Sequence, residues 1–201
     1  MKRYQEVLNH FFRMLDCVRP QSREFYQHLN EEMEKLFVTE KHILSSEGKI
    51  MNNFFFLSDG YIIAYCVNSD NKKQVVHIYG RNEIVAGYSF TKRVPSVYTL
   101  VALPGAYMLT LSHAQLSEVY QLFPNVGELA RIVIASREEK QVAFHRLLGE
   151  GNMARVELFY LRFPELLHVP GKPIKDAYIA SYLGISEKTL RTCRKRLLIG
   201  K

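Results

Sequence analysis

Lys188, Arg191, Thr192 and Lys195 fall on one face of a helix if the C-terminal stretch is helical, and Leu190, Cys193 and Leu197 fall on the opposite face. Donors and cations gathered on one side of a helix can bond base edges in a major groove and pair with backbone phosphates. The surrounding segment, DAYIASYLGISEKTLRTCRKRLL at 176–198, fits a helix-turn-helix. Ala180 is small where two helices would cross, and Ile179, Leu183, Ile185, Leu190 and Cys193 would lock the pair. Gly184 permits the left-handed conformation that ends the first helix, and Ser186 can accept the free N–H groups that open the second. The candidate DNA contacts are Ser186, Glu187, Lys188, Thr189, Arg191, Thr192, Arg194 and Lys195. Lys188 and Arg191, near the start of the second helix, are expected at base edges, and Lys195 on phosphate. The bland alternative is an ordinary helical hairpin with solvated lysines.

The charge distribution favours the first reading. Residues 1–153 hold 17 Lys and Arg against 16 Asp and Glu, whereas residues 154–201 hold 10 against 4, so the tail carries +6 of the net +7. A compact basic segment on a near-neutral body is the footprint of a nucleic-acid-binding module. No nucleophile elbow, phosphate-cradling loop or metal-ligand spacing occurs, and the seven histidines are scattered, so an enzyme is not expected. Cys17, Cys66 and Cys193 are odd in number and far apart, which argues against a disulfide framework or zinc site. No apolar run reaches the roughly eighteen residues of a membrane helix, and the N-terminus lacks a cleavage signal. No membrane partner is expected, and the reducing cytoplasm is the expected location.

The elements that must position the tail are legible in outline. The first forty residues read as helix, with Val7, Leu8, Phe11, Phe12 and Leu15, then Phe25, Leu29, Met33, Leu36 and Phe37, at three-to-four spacing and Pro20 between the sets. From Lys41 to Ser112 short apolar stretches alternate with turn residues. Asp59-Gly60 is placed to join FFFL and YIIAYCV as an antiparallel hairpin, and Asn68 to Lys73 supplies a second turn. An antiparallel roll or barrel of six or more strands is expected. From Asn125 to Leu148 a single helix of roughly six turns leaves an apolar stripe available to a second subunit. Its candidate dimer contacts are Leu129, Ile132, Val133, Ser136, Lys140, Ala143 and Leu147. Gly149-Glu150-Gly151-Asn152 then breaks the helix. The expected fold class is α+β: an N-terminal antiparallel roll with flanking helices (1–124), a long dimerisation helix (125–148) and a C-terminal helix-turn-helix domain (149–201).

This order of parts resembles the Crp/Fnr family of bacterial transcription regulators, named for cyclic-nucleotide-receptor and fumarate-nitrate members. In the roll the resemblance rests on EGKIMNNFFFLSDGYIIAYCV and on Gly87 in VAGYSF; in the tail it rests on ARVELFYLRFPELLHVP followed by IASYLGISEKTLRTCRKRL. It implies a jelly roll like the cyclic-nucleotide-binding domain, a homodimer, double-stranded DNA as partner, RNA polymerase as a further candidate partner, and a small-molecule effector of unidentified chemistry. The effector cassette then comprises Gly87, Tyr88, Ser89, Arg93, Pro95, Ser96 and Val97. Cyclic-AMP-binding members carry a Glu shortly after the cassette glycine and an Arg-Ser pair near its end. Here those places read Tyr88 and Pro95-Ser96, so the paired charges that would meet a ribose and a phosphate are missing, and cyclic nucleotide is not expected. An iron–sulfur cluster is not expected either, because cluster-binding members carry several cysteines near the N-terminus and this chain has Cys17 alone there. Haem ligation by His77 or His113 stays open. Many relatives carry an arginine at the place of Thr192, so their operators do not transfer. The sequence ends shortly after Leu198, so the closing hairpin wing of longer members is not expected. The rival reading from another class is a small-molecule-binding module whose basic tail contacts protein or RNA.

Overall fold

The runs Phe54-Phe55-Phe56-Leu57 and Ile62-Ile63-Ala64-Tyr65 lie on strands whose two faces are both covered, which is why they are apolar without alternation. A computed structural model describes residues 2–169 and 173–199, the side chains at 2, 137, 138, 140, 141, 143, 145 and 147 apart. The described strands are β1 (Glu34–Phe37), β2 (His42–Ser45), β3 (Asn53–Asp59), β4 (Ile62–Val67), β5 (Lys73–Tyr79), β6 (Glu83–Val85), β7 (Thr99–Ala102) and β8 (Tyr107–Ser112). They form two antiparallel sheets of four, ordered β1-β8-β3-β6 and β2-β7-β4-β5. Phe55, Leu57, Ile62, Ala64, Leu100 and Met108 fill the space between the sheets.

The outer face of each sheet carries helices. On the first sheet lie α1 (Lys2–Val18), α2 (Arg23–Glu32), α4 (His113–Leu122) and the start of α5 (Val126–Leu148); Phe11, Leu15, Phe25, Leu29, Val119 and Leu129 pack there against Phe56, Leu109 and Leu111. A five-residue helix, α3 (Tyr88–Lys92), sits between β6 and β7. On the second sheet lies the C-terminal head, made of α6 (Asn152–Arg162), a 3-10 turn (Pro164–Leu166), α7 (Asp176–Leu183) and α8 (Glu187–Ile199). Ile63, Tyr65, Val75, Ile78 and Val101 of the roll share one buried cluster with Val156, Phe159, Phe163, Ile179 and Leu183 of the head. Each such side chain contributes about 1.5–3 kcal/mol when fully buried.

Four expectations are corrected. Leu36 and Phe37 belong to β1 and not to a helix, because α2 stops at Glu32 and Leu36 then pairs with Met108. Asp59-Gly60 does not close a hairpin, since β3 and β4 lie in different sheets and the turn carries the chain between them. Gly60 has φ of +78°, and a Cβ there would lie 2.6 Å from Ala106 Cα, so the crossover has room for glycine alone. The Asn68–Lys73 turn does close a hairpin, with Asn68 Oδ1 accepting from the Asp70 and Lys72 N–H groups. Two helices lie where none was expected: α3 within the strand region, and α4, which is opened by a capping box in which Ser112 and Gln115 bond each other's backbone N–H groups. The fourth correction concerns Leu129, which is 4% exposed beneath the roll's own helices and does not face outward from α5.

Candidate nucleic-acid interface

The head is built as a helix-turn-helix from local rules. Gly184 ends α7 with φ of +64° and ψ of 35°, and its N–H reaches back to the carbonyls of Ala180 and Ser181. Ile185 N–H donates to Ala180 O at 3.0 Å, which tightens the turn. Ser186 Oγ accepts from Thr189 N–H at 3.1 Å and so satisfies one free donor at the start of α8. Leu190 and Cys193 are buried against α6 and α7, and Leu197 packs beside them. This leaves Ser186, Glu187, Lys188, Arg191, Thr192 and Lys195 exposed, with Thr189 half-buried. Arg196, which the spacing argument did not single out, is exposed as well and extends the basic surface.

Arg194 departs from the expected set. It is 5% exposed, and its guanidinium donates to both carboxylate oxygens of Asp176 at 2.6 and 3.1 Å and to Tyr160 Oη at 2.5 Å. A buried charge is tolerated where it is paired and its donors are used, and here the pair ties α8 to α6 and to the start of α7. Arg194 therefore holds the head together and is not among the exposed side chains of α8. Its hydrogen bonds hold the Asp176 carboxyl below the ordinary range against the opposing effect of burial, helped by the Arg191 charge. Arg191 is exposed, yet its Nε donates to Asp176 Oδ2 at 3.3 Å and its Nη2 to Glu187 Oε2 at 3.0 Å.

The docking of the head on the roll leaves this surface open. α7 lies along β5, and Ser181 Oγ accepts from Val75 N–H at 2.9 Å. Arg162 Nη2 pairs with Glu83 at 2.7 Å, the Tyr61 hydroxyl donates to Glu165, and Phe163 covers Gly80. Burial and the Glu165 carboxylate push the Tyr61 hydroxyl well above its usual value. Burial also pushes the Tyr182 hydroxyl, beside His77 at this junction, up to about 12.

At the expected effector cassette several polar groups bond the chain itself. Tyr98 Oη lies where a Cβ on Gly87 would be only 2.5 Å away. Ser89 Oγ donates to Val94 O and accepts from Met51 N–H, while Ser96 Oγ donates to Tyr98 O. Arg93, with φ of +57°, donates to Met51 O and to Asn52 Oδ1, each at 2.8 Å. Tyr88, Pro95 and Val97 are exposed at the rim. The His77 ring lies tilted against Tyr79 and edge-on to Tyr182, and His113 lies against Phe90 and beside Ser117.

Along α5, Ile132 and Ser136 are exposed and Val133 is half-buried, while the side chains of Lys140, Ala143 and Leu147 lie outside the described residues. Ile134 and Val142, absent from the expected stripe, are exposed too, at 47% and 53%.

Residues 35–122 match the cyclic nucleotide-binding domain family. No curated protein matches the sequence. Among solved structures, FixK2 from Bradyrhizobium japonicum is similar at 16% identity with a TM-score of 0.70, over 84% of this chain and 85% of that one. The c-di-GMP responsive global regulator CLP of Xanthomonas campestris is similar at 12% identity with a TM-score of 0.62, over 89% and 93% of the two chains. The Thermus thermophilus catabolite activator protein follows at 14% identity with a TM-score of 0.52, over 91% and 86%. At these identities the likeness is one of fold, and it spans most of the chain.

Proposed function

We propose that this chain, a cyclic nucleotide-binding domain of the Crp/Fnr fold followed by a helix-turn-helix head, is a homodimeric regulator of transcription that binds specific duplex DNA. The observation that carries the proposal is the exposed face of α8, where Lys188, Arg191, Thr192 and Lys195 lie together while Leu190 and Cys193 anchor the helix from behind. A helix with this division can enter a major groove, with its first turns at base edges and its later cations on phosphate. The head meets the roll through α6 and α7, and Lys188, Arg191, Thr192 and Lys195 stay exposed on the far side of α8.

Two heads are needed for a palindromic site, and exposed Ile132, Ile134 and Val142 on α5 are apolar side chains that a second copy would cover. The half-sites would then lie about 34 Å apart. The roll acts as the sensing part, working by binding and not by catalysis, and Tyr88 and Pro95 in place of a charged pair, with Arg93 bonded to Met51 O and Asn52 Oδ1, favour an effector other than cyclic AMP. A chain that works on DNA belongs in the compartment that holds the DNA, and no described helix is long and apolar enough to cross a membrane.

Electrophoretic mobility with random duplex, single-stranded DNA and RNA competitors tests the reading. Retention of a selected duplex against all three is expected. Equal competition by single strands or RNA would point instead to a binding module of a different class.

A further inference from the structure

We infer that Arg191 is a pre-oriented reader of guanine, and that Asp176 and Glu187 are the positioning residues that hold it; this rests on the DNA-binding reading of α8. The geometry of one guanidinium carries the argument. Its Nε donates to Asp176 Oδ2 at 3.3 Å and its Nη2 to Glu187 Oε2 at 3.0 Å. Nε and Nη2 form one edge of the planar group, so both carboxylates grip the same edge. The end of the fork, with the Nη1 hydrogens and the second Nη2 hydrogen, stays unspent. Arg191 is 65% exposed, so that end is available to a partner.

The grip is anchored at depth. The Asp176 side chain is only 11% exposed, and the buried Arg194 donates to both its oxygens. Tyr160 accepts from Arg194 in turn. A line of charge-assisted bonds therefore runs from the core of the head to a surface side chain, which removes much of the rotamer freedom that an unsupported arginine loses on binding.

The chemistry selects the partner. Two parallel N–H donors match the O6 and N7 acceptors of guanine, whereas adenine offers one acceptor beside a donor, cytosine a donor, and thymine an acceptor beside a methyl group. Phosphate would also accept a fork, but the Asp176 and Glu187 carboxylates flanking Arg191 disfavour an approaching anion. The same pair of anions leaves a neutral base edge unopposed. Asp176 lies outside the recognition helix, so scanning α8 alone would overlook it.

The test uses the full-length protein and a duplex that it selects from a random pool, with each guanine replaced in turn by 7-deazaguanine, which lacks the N7 acceptor. One guanine per half-site should be found whose replacement weakens wild-type binding about tenfold or more. Arg191→Ala and Arg191→Lys should be insensitive to that replacement. Glu187→Ala should lower the preference for guanine at that position severalfold while raising affinity for unrelated duplex at the same salt, since it removes an anion from the face that meets phosphate, and Asp176→Asn should lower the preference more strongly. Asp176→Asn also breaks the Arg194 pair; if its head fails to fold, Glu187→Ala, which alters an exposed carboxylate, carries the test. The inference is overturned if no deaza replacement matters to wild type, if Glu187→Ala keeps full guanine preference, or if Arg191→Ala weakens all duplexes alike, the mark of a phosphate contact. If wild type selects no duplex at all, the DNA-binding reading of α8 fails, a result distinct from the failure of this inference.

Discussion

The hydroxyl of Ser181 accepts a 2.9 Å hydrogen bond from the backbone N–H of Val75, so α7 of the head caps an outer strand of the roll. Edge strands carry unpaired backbone donors, and a side chain from a docked helix is one way of satisfying them. Ser181→Ala leaves the buried Val75 amide without this partner and should cost about 1–3 kcal/mol. Thermal unfolding should show the loss, and amide hydrogen exchange should quicken along β5 and α7 while β3 and β8 keep their protection. Unchanged exchange in β5 would mean that the contact does not hold the head to the roll.

The dimer should depend on the exposed side of α5. Ile132→Glu combined with Ser136→Glu places carboxylates one turn apart on the face that a second copy would cover, and light scattering should then report monomers. Leu129 is buried within its own subunit, so Leu129→Ala should lower stability by about 2–5 kcal/mol without acting through the interface. A stable dimer in the double variant would place the interface elsewhere.

Cyclic AMP should not bind. Arg93 is committed to Met51 O and Asn52 Oδ1, and Tyr98 Oη lies close over Gly87, so this arginine is not held out toward a phosphate. Isothermal titration should give no binding heat with wild type, nor with Tyr98→Ala, which opens space without supplying charge. A dissociation constant in the low micromolar range, about −8 kcal/mol, would sink this expectation.

Acid should loosen the head first. The Asp176 carboxyl is held below its ordinary value chiefly by the Arg194 hydrogen bonds. The group therefore contributes stability that is fully present above about pH 4, the value of an unperturbed carboxylate, and that is lost as pH falls through the lowered folded value. Asp176→Asn should abolish that part of the acid dependence and, by leaving Arg194 buried without its anion, cost about 3 kcal/mol at neutral pH. Equilibrium unfolding of both proteins across a pH series checks it; parallel curves would show that the pair does not control the head's response to acid.

Lys195 should serve affinity and not choice of sequence. It is exposed about two turns into α8. Lys195→Ala should weaken selected and scrambled duplex alike and reduce the salt slope by about one per site. A changed base preference would move Lys195 to the reading edge.

What the sequence by itself determined was local. The helix-turn-helix was legible because its requirements lie within a dozen residues: Gly184 for the left-handed turn, Ser186 for the cap, and Leu190 and Cys193 for the anchored face. The 23-residue α5 and the Asn68–Lys73 hairpin were legible for the same reason, since periodicity and turn chemistry act between near neighbours.

Tertiary structure decided whatever depends on distant partners. Arg191 and Arg194 look alike in sequence, yet one is exposed and the other buried, because Tyr160 and Asp176 arrive from other helices to neutralise and bond the second. Asp59-Gly60 has the composition of a hairpin turn, but the sheet that each flanking strand joins is set by β8, β7 and β5 and not by the two residues between them. Leu129 and Ile132 share an apolar character, and only the packing of α1, α2 and α4 determines that the first is buried and the second exposed. A side-chain period reports which residues share a face; what covers that face is fixed by groups brought together through folding, and so are the charges that a buried cation needs.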